Sequence, residues 1–180
     1  MCEVVGLTPS GNTYCIAYAF MSQENEDTYA WVLRQLQILL GSVQPQAIMT
    51  DRELGLLAAL NVVFPDVQHL LCWLHVMRRC EEAALKITKN LNHAGIFKGN
   101  CWGLFESRSE ESFNRRRRAL RAYWHPFPGV VAYLESVWLP YSRSIVRCYV
   151  DNVFHLGTRT TNRYNLTSYL PLQYDIISNI

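Results

Sequence analysis

The sequence lacks any apolar run that approaches the roughly 20 residues needed to cross a bilayer as a helix. It begins with Met1-Cys2-Glu3 and has no basic stretch followed by an apolar core, so a secretory signal is not predicted. None of its six cysteines forms a CxxC pair. These absences predict free thiols in a reducing compartment, either the cytosol or the nucleus, and no membrane partner.

A large excess of either charge is also missing, because 17 lysines and arginines face 15 aspartates and glutamates. The resulting net charge of +2 does not by itself indicate a nucleic-acid binder, although a local basic cluster still can. The composition, 49% hydrophobic and 18% charged, excludes a disordered tail, a coiled coil and a collagen-like fibre. There is no P-loop, no glycine-rich dinucleotide turn and no nucleophile elbow.

Short apolar or β-branched segments alternate with helical patterns in the first half of the chain. Segments 3–8 and 13–21 flank a Pro-Ser-Gly-Asn turn and predict a hairpin. An amphipathic helix follows, with Ser22 as its predicted N-cap and Gly41 at its end. Next come a strand over 46–50, a helix over 53–63, a strand over 67–71 and a helix over 75–91. This alternation predicts an α/β sheet with crossover helices.

The pattern changes after residue 91. Residues 92–103 contain three glycines and predict a loop, whereas 109–123 predict a very basic helix. Two further helical segments surround Pro140, and the last segment is polar and then aromatic. The chain is therefore predicted to divide into an α/β region at 1–91, an all-helical insertion at 92–150 and a C-terminal segment at 151–180.

Asp51 is the strongest candidate for a metal-binding or catalytic residue, because it follows a predicted buried strand at the edge where open α/β sheets bind ligands. With a second carboxylate nearby, it could hold Mg²⁺ or Mn²⁺ for phosphoryl transfer by two metal ions. Alternatively, its side chain caps the helix that follows. The residues alone leave both interpretations open.

Cys72 and His75 are three residues apart at a predicted helix start, so they share one face and could both bind zinc. Zinc usually needs about four ligands, and the sequence has no second short pair of this kind. The alternative is a buried thiol beside a hydrogen-bonded imidazole.

The predicted basic helix is a candidate surface for DNA, since a helix rich in arginine can lie on a phosphate backbone in a salt-dependent manner. Its arginines are Arg115, Arg116, Arg117, Arg118 and Arg121. The alternative is a solvated helix whose arginines pair with Glu106, Glu110 and Glu111 at helical spacing. A later polar tract with Arg159 and Arg163 suits either a loop that contacts the DNA backbone or a helix N-terminus.

Taken together, these segments resemble the MULE transposase domain of Mutator-like DNA transposons. The resemblance rests on residues 3–8, 14–21 with Glu24, 31–33, 48–53, 58–60, 63–65, 71–75 and 155–163. It implies a ribonuclease-H-like fold, in which a mixed sheet with flanking helices is interrupted by a helical insertion. It also implies Asp-Asp-Glu chemistry, in which two Mg²⁺ or Mn²⁺ ions activate water and then a 3′-hydroxyl to attack phosphodiesters.

The resemblance assigns roles to several residues. Asp51 matches the second metal-binding aspartate of the family, and Cys72 and His75 match a Cys-x-x-His feature beside the site. Asn165 stands where the family has its catalytic glutamate, and the first aspartate belongs to a strand that would precede residue 3. A single carboxylate would leave the repulsion between two metal ions poorly neutralised.

These departures predict a ribonuclease-H-like sheet without its N-terminal strand, and with one incomplete or exposed edge. Residues 151–180 would then be a remnant of the C-terminal catalytic segment. The predicted function is that of a fragment of a nuclear MULE-type transposase, inactive but with residual DNA binding; a homo-oligomer is left open. Two alternatives also stay open. One is an active metal-dependent DNA transposase or nuclease, with Glu53, Asp66 or Asp151 supplying carboxylates, and the other is a domesticated, transcription-related DNA-binding protein.

Overall fold

The computed structural model describes residues 1–8, 12–151 and 174–179. By their contacts these residues form two compact units. The first comprises residues 1–72 together with the strand at 174–179, and the second comprises the described residues from Trp73 onwards to 151. Within the described residues, no helix is both long enough and apolar enough to span a membrane.

The first unit is built on a mixed sheet. Its described strands are β1 (Cys2–Leu7), β2 (Thr13–Ala19), β3 (Ala47–Thr50), β4 (Gln68–Leu71) and β5 (Tyr174–Asn179), in the order β2-β1-β5-β3-β4. The pairs β1–β2 and β3–β5 are antiparallel, whereas β1–β5 and β3–β4 are parallel. The predicted hairpin and the predicted α/β class are therefore confirmed.

Strand β5 occupies the centre of this sheet. The incomplete or exposed sheet edge that the sequence predicted stays a prediction; β5 lies between β1 and β3 and pairs with both. All six residues of β1 are buried, as expected for a strand covered on both faces. Unpaired backbone N–H and C=O groups in so buried a strand as β1 would cost free energy, so the pairing of β5 with β1 stabilises the unit. The edges among the described strands are β2 and β4.

Two helices accompany the sheet in the first unit. Helix α1 (Glu26–Leu40) buries Tyr29, Val32, Leu33 and Leu36, the apolar face that its periodicity predicts. Its N-cap is Asn25, whose side chain accepts a hydrogen bond from the Thr28 N–H at 3.0 Å, so the predicted cap at Ser22 is wrong. It ends at Gly41, which has a φ of 61°. Helix α2 spans Leu54–Val63 and packs on α1.

The second unit is entirely helical among its described residues. Its longer helices are α3 (Trp73–Thr88), α4 (Leu91–Phe105) and α5 (Glu110–Tyr123). They are followed by α6 (Pro128–Tyr133), a π-helical turn (Leu134–Trp138), a 3₁₀ turn (Leu139–Tyr141), α7 (Ser142–Ile145) and α8 (Arg147–Val150). Helix α3 packs on α4 and belongs to this unit by its contacts. The domain boundary after residue 91 stays a prediction.

Helix α4 replaces the loop that the three glycines of 92–103 predicted. Its buried residues Ala94, Phe97, Cys101 and Leu104 recur at helical spacing. Each glycine costs the helix about 1 kcal/mol relative to alanine. Burying one large apolar side chain stabilises the fold by roughly 1.5–3 kcal/mol, so packing outweighs the low helix propensity of the glycines. The side chain of Asn90 accepts hydrogen bonds from the N–H groups of Asn92 and His93 and begins the helix.

Candidate metal site and basic helix

Asp51 lies directly after β3, as the sequence predicted. The helix that follows is capped by Glu53, whose Oε2 accepts a hydrogen bond from the Leu56 N–H. The capping role that the sequence allowed for Asp51 is therefore supplied by another residue. Asp51, which is half-buried, lies at the end of the strand.

Cys72 has the equivalent position after β4. Because β3 and β4 are neighbouring parallel strands, the residues that follow them reach the same edge of the sheet. The N–H of Cys72 donates to the carbonyl oxygen of Thr50 at 2.8 Å and ties the two strand ends together. The Cys72 side chain is buried.

His75 follows three residues later, in the first turn of α3. One ligand atom each from Asp51, Cys72 and His75 lies within 4.8 Å of the others. Asp51 and His75 are half-buried, while Cys72 is buried. The structure thus gathers a carboxylate, a thiol and an imidazole, which the sequence had considered as two separate features.

The chemistry of these donors can be compared with the metals that the resemblance implies. Mg²⁺ and Mn²⁺ prefer oxygen ligands, whereas zinc takes thiolate, imidazole and carboxylate. Two Mg²⁺ ions would need more negative charge than one carboxylate supplies. The described donors therefore fit one zinc-like ion, and they do not fit a pair of Mg²⁺ or Mn²⁺ ions. Asn165, the other site-adjacent residue of the prediction, lies outside the described residues.

The three carboxylates that the active-enzyme alternative invoked have other surroundings. Glu53 caps α2, and Asp151 accepts a hydrogen bond from Arg147 at 2.8 Å. Asp66 is exposed in the turn before β4. Within the described residues, none of the three joins the cluster around Asp51.

Helix α5 carries the predicted arginines, and the structure divides them into two groups. Arg116 donates to the carbonyl oxygen of Gly103, while Arg117 and Arg121 both bind Glu135. Arg115 and Arg118 are exposed. In the described part of the chain, neither has a hydrogen bond or an ion pair.

The acidic partner of this helix differs from the glutamates that the sequence suggested. Glu135 is the residue that pairs with it, from the π-helical turn after α6, and its hydrogen bond from Arg121 lowers the pKa of its carboxyl group. Glu106 instead binds Arg147 at 2.9 Å. Helical spacing alone cannot find Glu135, because it comes 14 residues after Arg121 and tertiary packing brings it near.

The remaining predicted DNA contacts, Arg159 and Arg163, lie outside the described residues. That the polar tract around these two arginines is a loop that contacts the DNA backbone, or a helix N-terminus, therefore stays a prediction.

Comparison with known proteins supports the resemblance. Residues 1–79 match the family model of the MULE transposase domain, so the predicted resemblance is confirmed over those residues. The chain is 20% identical to protein FAR-RED IMPAIRED RESPONSE 1 of Arabidopsis thaliana over 163 residues, which cover 88% of this chain and 19% of that protein. It is 24% identical to protein FAR1-RELATED SEQUENCE 2 of the same plant over 151 residues, or 84% and 18% of the two chains.

A third relative, protein FAR1-RELATED SEQUENCE 5 of Arabidopsis thaliana, is 27% identical over 77 residues, which are 43% of this chain and 10% of that protein. The chain thus spans less than a fifth of the length of these curated relatives. Together, the family match and the relatives support a transposase-derived protein.

Proposed function

We propose that this transposase-derived chain binds double-stranded DNA through helix α5 and does not cut or join it. The observation that carries the proposal is the pair of exposed arginines, Arg115 and Arg118, which have no acidic partner within the described residues. Guanidinium groups that are not neutralised by the protein are available to phosphates, and each phosphate contact releases condensed counterions.

The geometry of α5 suits a phosphate backbone. Arg115 and Arg118 are three residues apart and lie on one face of the helix. Arg116, Arg117 and Arg121 are held by contacts inside the second unit, so they steady the helix, and Arg116, whose partner is an uncharged carbonyl, adds positive charge next to Arg115 and Arg118. Such contacts position a protein on DNA without reading its sequence.

The absence of cutting rests on the donors around Asp51. The cluster offers one carboxylate with a thiol and an imidazole, which suits a structural zinc-like ion better than two-metal phosphoryl transfer. The active transposase would need carboxylates from outside the described residues. We further propose a ribonuclease-H-like fold, which the five described strands with their mixed order and helices support.

A domesticated, transcription-related role in the nucleus is the form of this function that the relatives favour. The name of one relative refers to a far-red response and that of another to a relationship with FAR1, and neither name refers to transposition. A protein of that kind needs to hold DNA, whereas it has no need to break it.

The test combines a binding assay and a cleavage assay on the 180-residue chain. We expect a labelled DNA duplex to be bound, with an affinity that falls steeply as salt is raised. We expect no nicking or strand transfer with Mg²⁺ or Mn²⁺. Cleavage by the wild-type chain that disappears in Asp51→Ala would overturn the inactive interpretation, and a duplex affinity that does not respond to salt would overturn DNA binding through α5.

A further inference from the structure

A groove of about 330 Å³ lies between α4 and α5 in the second unit. Gly99, Asn100 and Gly103 line it from α4, and Arg116 and Tyr123 line it from α5. Its volume is at the lower end of the range that small-molecule pockets occupy. Helix α5 also carries Arg115 and Arg118, but neither of them lines the groove.

The groove is open because two of the α4 residues that line it, Gly99 and Gly103, are glycines. A Cβ atom at Gly99 would meet no atom within 4 Å, and one at Gly103 would meet only Arg116 Nη1, at 4.0 Å. Helix packing therefore does not require glycine here. Glycine is also the least favourable residue inside a helix apart from proline, so helix formation does not account for it either.

The polar groups around the groove are held in fixed positions. Trp124 Nε1 donates to Asn100 Oδ1 at 2.9 Å, and because an indole nitrogen only donates, this contact orients the Asn100 amide. The amide NH₂ of Asn100 thus remains as a donor for an occupant. The guanidinium of Arg116 is anchored by the Gly103 carbonyl oxygen. The ring of Tyr123, whose residue is 61% exposed, offers a flat aromatic surface.

Amide donors, a guanidinium plane and an aromatic ring are the groups that recognise an unpaired nucleobase, which has a π-face and several acceptors. Adjacent residues of a helix point about 100° apart, so Arg115 projects about 70° from the middle of the face that Arg116 and Ala119 present to the groove, whereas Arg118 projects about 130° from it. The charge next to the groove is therefore complementary to the phosphates of the nucleotide that would enter it.

We propose that this groove binds an unpaired base of a DNA strand, while Arg115 contacts a phosphate beside that base. The proposal rests on the proposed DNA binding and adds a preference for DNA that contains an unpaired nucleotide. The base stacks on Tyr123, and its acceptors face Asn100 and Arg116.

Fluorescence anisotropy with the 180-residue chain tests this with two probes, a blunt duplex and the same duplex with one bulged nucleotide. We expect the bulged probe to bind at least about fivefold more tightly, as base–aromatic stacking would give. Tyr123→Ala and Gly99→Leu should both abolish the preference, the first by removing the platform and the second by filling the groove. Tyr123→Phe should keep it, since the phenylalanine ring stacks equally well.

Gly95→Leu is the matched control. It lies one turn earlier on the same side of α4, a Cβ there also meets no atom within 4 Å, and it does not line the groove. This variant should keep the preference. Equal affinity of the wild-type chain for both probes, or a preference that survives both Gly99→Leu and Tyr123→Ala, would overturn the groove proposal while leaving duplex binding intact. No affinity for either probe would overturn the proposed function as well.

Discussion

Replacement of both Arg115 and Arg118 by alanine is the most direct test of the proposed DNA contact. Both side chains are exposed and have no partner in the described part of the chain, so their removal breaks no hydrogen bond or ion pair among those residues. Alanine is also the best helix former, which protects α5 from unfolding. Any loss of affinity can therefore be assigned to DNA contacts and not to a change in fold.

The size of the effect follows from counterion release. Each phosphate contact contributes about 0.9 to the slope of log affinity against log salt, so the loss of two contacts should lower the slope by about 1.8. Between roughly 50 and 200 mM salt, the wild-type affinity should then fall about 12 times more than that of the variant. Anisotropy titrations of a labelled duplex at several salt concentrations measure both slopes.

Arg78→Ala with Arg79→Ala is the charge-matched control. Both pairs of substitutions leave 15 basic and 15 acidic residues, because two of the 17 basic residues are removed. Arg78 and Arg79 are exposed too, but both bind Glu82, and the hydrogen bond from Arg78 lowers the pKa of that carboxyl group. The control should keep most of the wild-type slope. Equal slopes for the two double variants would refute the argument, because net charge alone would then explain the binding.

Three further predictions follow from the same contacts. Glu135→Gln should release the two arginines that it binds and raise duplex affinity at low salt; an unchanged salt slope would contradict this. The chain should bind one Co²⁺ as a substitute for Zn²⁺ with a thiolate charge-transfer band, which Cys72→Ser removes and Cys15→Ser, at an exposed thiol, does not. Burial lowers the pKa of His69, so the unfolded chain takes up its proton first as pH falls. The contribution of His69 to stability should be complete above the ordinary histidine pKa of about 6.5 and should decline below it. If the melting temperature falls equally for wild type and His69→Gln between about pH 7.5 and 5.5, protonation of His69 is not the cause.

Several elements could be predicted from the sequence because their signals are local. The hairpin, α1 and the succession β3, α2, β4 all follow from apolar periodicity and turn residues. Helix α4 could not be found in this way, since its glycines oppose a helix locally and its burial against the rest of the unit outweighs them.

The candidate site, too, could be predicted from the sequence only in part. The sequence places Asp51 after one strand and Cys72 after another, but only the parallel pairing of β3 with β4 brings the two residues to one edge. Spacing within α5 likewise identifies its arginines, while it cannot say which of them are neutralised. That depends on Glu135, which comes from a different element.

The sequence by itself determined the alternation of strands and helices, the resemblance to the MULE transposase domain and the residue types available for chemistry. Only the tertiary structure decided that β5 lies in the centre of the sheet, that Asp51 lies near a thiol and an imidazole, and that Arg115 and Arg118 have no acidic partner among the residues that the structure describes. The physical reason is the separation along the chain over which each kind of interaction acts. Backbone preference and periodicity act over a few residues, whereas pairing, burial and charge neutralisation join residues far apart in the chain and depend on how its elements pack.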